Sequence, residues 1–232
     1  MEKYKAVSTS IQAIFHRYTD KVEPLSLDEA YLDVSDCDMF QGSATRVAEH
    51  IRQTIYHETG LTASAGVAPN KFLAKIASDE NKPDGLFVIP PEQVSAFVAS
   101  LPLRKIPGVG QKTAEKLAKF GLHRCNDVKN ADLTMLVREF GSFAEVLLER
   151  SQGLDHRLVH TERERKSVAV EQTFSQDLNQ PEQSLQPLAD MYQKLLRRIE
   201  RCGAQEHIHK VGIKLKFQDF HQTTIERQHP EL

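Results

Sequence analysis

Ser26-Leu27-Asp28-Glu29-Ala30-Tyr31-Leu32-Asp33 sets two adjacent carboxylates inside a run that otherwise reads as strand. Successive side chains of a strand point to opposite faces. Asp28 and Glu29 can therefore converge only where the backbone bends, and Val22 to Val34 reads as two strand-like segments meeting at that bend. Carboxylates held among Leu25, Leu27, Leu32 and Val34 are costly to bury unless a cation or hydrogen bonds compensate. Clustered oxygen donors with open positions suit Mg²⁺, which accepts few protein ligands and leaves room for phosphate. The alternative is a solvated turn in which both acids simply face water, and composition alone favours that reading.

Working outward, the segments on either side alternate between helix and strand. Upstream, Ala6 to Tyr18 spaces Val7, Ile11, Ile14 and Phe15 for one face of a helix. Downstream, Ser43 to Thr59 does the same with Val47, Ile51 and Ile55, and Gly60 stops it. Leu61 to Ala68 is a strand of small residues, which predicts a helix or ligand packed close against it. Asn70 caps a helix to about Asn81, Pro83-Asp84-Gly85 is a turn, and Leu86 to Ile89 is a further strand. This α/β unit runs to about residue 90. From Pro91 to about Val159 only helical patterns and turns appear. His160 to Ser167 is a charged linker. A third, α+β unit follows, with a strand over 167–174, a helix from about Pro181 to Cys202, a strand from Lys210 to Phe217 and an extended segment from about Gln222.

Three further features bear on chemistry. In the helix after Asn70, Phe72, Leu73, Ile76 and Ala77 make the buried face. Lys71 and Lys75 read as solvated charges, whereas Lys82 is held at the helix end by Pro83. Leu103 to Gly110 places Pro107-Gly108-Val109-Gly110 between two helical segments, the second being Gln111 to Phe120. Glycines allow close backbone approach, and a helix start offers free N–H groups and the positive end of its dipole to an anion. Such a hairpin holds a DNA phosphate without reading sequence, with Arg104 and Lys112 adding charge. In the last unit Val211, Ile213, Leu215 and Phe217 alternate with Gly212, Lys214 and Lys216. One face is therefore expected in the core and the other basic, with Lys194, Arg197, Arg198 and Arg201 on the preceding helix. His207 and His209 lack a third ligand and read as surface residues.

Bulk properties narrow the field. The chain has 232 residues, 40% apolar and 27% charged, which fits a globular protein and not a disordered one. A net charge of −2 means that any nucleic-acid contact must come from local basic patches. Cys37, Cys125 and Cys202 are odd in number and far apart, which argues against a disulfide framework or zinc site and for a reducing cytoplasm. No run of 18 apolar residues exists to span a membrane, and the polar Met1-Glu2-Lys3-Tyr4-Lys5 lacks the continuous apolar core expected of a signal peptide.

SLDEAYLD resembles the central metal-binding motif of Y-family DNA polymerases of the bacterial polymerase IV type, and ASAGVAPNKFLAKIASDENKPDG resembles their palm. The resemblance implies an α/β (α+β) palm over 1–90, an all-helical helix-hairpin-helix thumb over 91–160, a linker over 161–166 and a partial α+β little finger over 167–232. It implies error-prone, template-directed addition of deoxynucleotides to a primer 3′-hydroxyl by two-metal phosphoryl transfer, with two Mg²⁺ ions. Asp28 then ligates both metals, and Glu29 completes the metal site and is treated as catalytic. Lys82 contacts the nucleotide triphosphate. Pro107, Gly108, Val109, Gly110 and Lys112, with Lys214 and Lys216, hold primer–template DNA. Asp33 is left as a structural acid. The resemblance lacks the family's opening strand with its first metal-binding aspartate, the fingers, and the end of the little finger with its tail for the sliding clamp. The expectation is a truncated, monomeric chain with little activity alone; the alternative is a catalytically incomplete DNA-binding piece. A helix-hairpin-helix nuclease or glycosylase would need catalytic residues beside the hairpin, which are not seen.

Overall fold

The computed structural model describes residues 2–162 and 164–228, in two compact units, Met1–Arg163 and Glu164–Leu232. Arg163 of the linker and the end of the chain from residue 229 lie outside the described residues.

The first unit begins with α1 (Glu2–Phe15), which starts four residues before the spacing predicts and ends three before Tyr18. It packs on α2 (Ala44–Thr59), and Ile14, Tyr18, Val47, Ile51 and Ile55 form a small core between them. Ser43 accepts the Arg46 N–H at the start of α2, and Gly60 ends it in the left-handed conformation at φ 70°. Strands β1 (Val22–Pro24) and β2 (Ala30–Leu32) pair antiparallel, Val22 opposite Leu32 and Pro24 opposite Ala30. The expected bend is therefore a hairpin loop over 25–29, and both acids stand on it, exposed. The flanking leucines suggested burial, but a loop that reverses the chain turns its side chains to solvent.

Strand β3 (Ala65–Val67) runs parallel to β4 (Leu86–Val88), connected by α3 (Lys71–Glu80). Asn70 accepts the Leu73 N–H at 3.0 Å and starts α3. This helix explains the small residues of β3. A Cβ on Gly66 would stand 2.2 Å from the Ala74 carbonyl oxygen and 2.3 Å from the Ser78 nitrogen. The buried face of α3 (Phe72, Leu73, Ile76, Ala77) joins one continuous core with Ile89 and the helical part. That part comprises α4 (Val94–Ser100), α5 (Gln111–Lys119), α6 (Cys125–Lys129), α7 (Leu133–Phe140) and α8 (Phe143–Ser151). Leu117, Cys125, Val128, Leu136 and Leu147 are fully enclosed there.

The second unit holds α9 (Glu182–Arg201) and the antiparallel pair β5 (Lys210–Lys216) and β6 (Gln222–Gln228), with Ile213 opposite Ile225. Two expectations fail here. Residues 167–174 join no strand among the described residues. Alternation reads an extended backbone, whereas a strand also needs a ladder partner. Two contacts of this segment are the Arg198 guanidinium, which donates to the Ala169 carbonyl at 2.6 Å, and a 2.7 Å ion pair from Glu171 to Lys214. Nor does the apolar face of β5 reach a core: Val211, Ile213, Leu215 and Phe217 stay 40–51% exposed. Among the described residues no helix is long and apolar enough to cross a membrane.

Candidate functional site

The acid-bearing loop is held by its own backbone. The Leu25 and Ser26 N–H groups donate to the Glu29 carbonyl at 2.8 and 3.3 Å. The Ser26 hydroxyl donates to Asp28 Oδ1 at 2.5 Å and accepts the Asp28 N–H at 3.3 Å. Glu29 faces α3: the Lys75 ammonium donates to both of its carboxylate oxygens, at 3.1 and 3.0 Å.

Lys82 follows the end of α3 and pairs with Asp79 at 2.5 Å. Its ammonium is held above the ordinary lysine range by the hydrogen bond to Asp79, which outweighs the opposing effect of burial, with smaller help from the charges of Asp79, Glu29 and Asp28. The field of the acid pair thus reaches Lys82. The structure pairs Glu29 with Lys75 and Lys82 with Asp79, and the charges of Glu29 and Asp28 act on Lys82 as the smallest contributions to its shift.

Lys71 departs from the sequence reading more sharply. Its side chain is only 7% exposed, 2.5 Å from Glu23. It donates to the Leu158 carbonyl at 2.9 Å and lies 5.1 Å from the Tyr31 ring centre. Burial works to raise the Glu23 pKa. The Lys71 hydrogen bond and the His160 N–H outweigh it and hold the carboxyl below its usual range. The missed signal was the spacing of four between Lys71 and Lys75, which sets both on one side of a helix.

Asp155 was missed altogether. Its fully enclosed carboxylate accepts the Phe72 N–H at 3.0 Å, Arg150 at 2.9 Å and Arg157 at 2.8 Å. Burial pushes its pKa up, but the Arg157 hydrogen bonds and the charges of Arg150 and Arg157 bring it below the usual carboxylate range. This anchors the segment after α8 to the start of α3. The sequence offers no periodic cue to a contact made across 83 residues.

The hairpin forms as expected, with a 3₁₀ turn at Leu103–Lys105 before it and α5 after it. Gly108 sits at φ 96°, a conformation that favours glycine, and no side chain caps the first turn of α5. The Val109 side chain is buried and its N–H donates to the Ile106 carbonyl at 2.9 Å, so it shapes the turn. Lys112 is exposed. An open groove of about 530 Å³ is lined by Lys75 and Asp79 from α3 and by Arg104 to Gly110 from the hairpin.

In the second unit Lys214 and Lys216 stand on one side of β5. Lys214 is engaged by Glu171, and the Lys216 ammonium lies 4.4 Å from the Phe220 ring centre. His207 and His209 are exposed. Among the described residues no three His, Cys, Asp or Glu side chains gather to hold one ion. The donor set of the loop, two adjacent carboxylates open to solvent, nonetheless suits a hard, oxygen-seeking dication.

Comparison with known proteins fits this geometry. Residues 1–79 match the impB/mucB/samB family, 104–155 the thumb domain of DNA polymerase-iota, and 165–231 the C-terminal domain of the impB/mucB/samB family. DNA polymerase IV of Shewanella sp. (strain ANA-3) is 57% identical over all 232 residues, and that of Shewanella frigidimarina 56% identical over the same span. The chain spans about 65% of the length of these curated relatives. A Y-family DNA polymerase chimera of Dbh and Dpo4 superimposes with a TM-score of 0.86 at 27% identity, over 99% of this chain and 66% of that one. An insertion ternary complex of Dbh DNA polymerase gives 0.67 at 25% identity, over 99% of this chain and 65% of that one. The chain belongs to the impB/mucB/samB family, the Y-family DNA polymerases. Its helical part is the helix-hairpin-helix thumb and its last unit is like a little finger.

Proposed function

We propose that this chain supplies the acid pair, the thumb and part of the little finger of a template-directed, error-prone DNA polymerase of lesion bypass. It acts as a monomer on primer–template DNA and deoxynucleoside triphosphates in a reducing cytoplasm, and a sliding clamp is the further partner the family implies. The boundaries we assign are 1–90 for the palm, 91–160 for the thumb, 161–166 for the linker and 167–232 for the little finger.

One observation carries the reading: Asp28 and Glu29 stand exposed on a hairpin loop whose neighbours on α3 and its end are cationic. Asp28 accepts the Ser26 hydroxyl and Glu29 the Lys75 ammonium, both on exposed side chains that water reaches. Lys82 pairs with Asp79 through a contact exposed to water, so a polyanion at the end of α3 competes with Asp79 for its ammonium. Bound at the acid pair, Mg²⁺ supplies the positive charge that two-metal phosphoryl transfer needs at the reacting oxygens. Asp28 and Glu29 hold and orient it, and Lys82 offsets the charge of the incoming triphosphate. The Gly108 and Gly110 amides, the uncapped start of α5 and Lys112 steady a backbone phosphate. Lys214 and Lys216 follow the duplex. A DNA-holding chain with incomplete chemistry is the second reading, favoured by the gathering of only two carboxylates at the loop.

Primer extension with Mg²⁺ and four deoxynucleotides, beside fluorescence anisotropy on the same primer–template, tests both. Residues 1–232 are expected to bind duplex with an affinity that falls steeply with salt and to extend it only slightly. Extension that is detected must vanish in D28N and in E29Q while binding persists. Extension that survives either substitution contradicts the assignment of the acids, and binding indifferent to salt contradicts the DNA reading.

A further inference from the structure

We infer that Lys75 couples the cation site to the phosphate groove: its ammonium is exchanged from Glu29 for a divalent cation and then serves a phosphodiester between α3 and the hairpin. This rests on the assignment of Asp28 and Glu29 as cation ligands.

Three observations carry it. Lys75 donates to both Glu29 oxygens, so a cation that takes Glu29 must compete with that ammonium for the same lone pairs. The pair is weakly committed, with 32% of the lysine side chain and 45% of the glutamate exposed to water. Exposed ion pairs of this kind contribute little and exchange readily. Lys75 also lines the groove with Arg104, Lys105 and the backbone of 107–110. Lys105 is engaged there by Glu80 at 2.5 Å. An ammonium released from Glu29 therefore joins the exposed Arg104 beside the open start of α5, where a phosphate is the matching ligand.

The neighbouring lysines behave differently. Lys71 is buried against Glu23, and Lys82 pairs with Asp79 and not with Glu29. Lys75 is thus placed between the two sites, as a positioning residue for both. Two ligands that share one movable cation must affect each other equally. Mn²⁺ should tighten duplex binding through Lys75, and duplex should tighten Mn²⁺ binding by the same factor.

The test is a thermodynamic cycle on the full chain. Mn²⁺ affinity is read by electron paramagnetic resonance with and without primer–template duplex, and duplex affinity by anisotropy with and without Mn²⁺. K75Q is compared with K82Q, which removes the same charge nearby without touching Glu29. Mn²⁺ binding to duplex-free K75Q should be about two- to fivefold tighter than wild type, the range of an exposed ion pair. K82Q should change it less, and the reciprocal coupling should be lost in K75Q and kept in K82Q. Equal effects of the two substitutions, or coupling intact in K75Q, overturn the inference while leaving the acid pair assigned. Mn²⁺ binding unchanged by both D28N and E29Q contradicts the acid-pair reading itself, and this inference with it.

Discussion

The two units of the chain are built to different standards. In the first, a continuous core runs from α3 through the five helices that follow, with residues such as Phe72, Leu117 and Leu147 fully enclosed. In the second, Ile199 is the one large apolar side chain buried among the described residues, while Ile213, Leu215, Phe217 and Ile225 remain half exposed. Both read equally well as patterned secondary structure. The difference teaches that periodicity defines which face is apolar, and only a partner element decides whether that face becomes a core.

Substitutions sharpen the contrast, beginning with the largest effect. Asp155→Ala strips a fully enclosed carboxylate from two arginines and from the start of α3. Leaving a buried charge network uncompensated costs about 3–5 kcal/mol. Amide hydrogen exchange should rise throughout 65–155 and stay unchanged over 182–228. Gly66→Ala forces a methyl into the backbone of α3 and should cost about 3 kcal/mol, read as a lower urea midpoint of the first unit. In the second unit Ile199→Ala should cost about 2 kcal/mol, the low end for such truncations because the site is only partly enclosed. Leu215→Ser should fall within about 0.5 kcal/mol of wild type. A Leu215 effect as large as that of Asp155 would show that β5 has a partner and would erase the contrast.

Acid provides a separate probe. Glu23 and Asp155 have folded-state pKa values held below the ordinary carboxylate range. Their contribution is fully present above the unfolded value near pH 4 and is lost as pH falls through the lower folded values. The first unit should therefore lose tertiary circular dichroism below about pH 4, and Asp155→Asn should blunt that dependence. Glu171 in the second unit is also lowered, by its hydrogen bond to Lys214, but it is fully exposed and screened, so little acid sensitivity is expected there. The smallest effect is chemical. Burial pushes the Cys125 thiol up to about 12, so at pH 8 native protein should react with a maleimide at exposed Cys202 and not at Cys125.

The elements of the first unit were legible because caps, glycine stops and helical spacing agree: Ser43, Gly60 and Asn70 each mark a boundary the structure keeps to within a residue or two. The hairpin was legible for the same reason, being a local string, and the structure sets the acid pair on a loop between two paired strands. The Glu29–Lys75 and Glu23–Lys71 pairs and the Asp155 anchor were not. They join segments 46, 48 and 83 residues apart, and no local period encodes such distances. The strand over 167–174 was over-read because alternation records extension and is silent about pairing.

The central claim is that Asp28 and Glu29 on the β1–β2 loop form the cation site of the chain. Mn²⁺ titrated into isotope-labelled protein measures this directly, because a paramagnetic ion broadens the amide signals near it. Broadening should concentrate at 25–30 and 75–82 and disappear in the D28N, E29Q double variant. Broadening centred on His207 and His209, or unchanged in the double variant, would contradict the account.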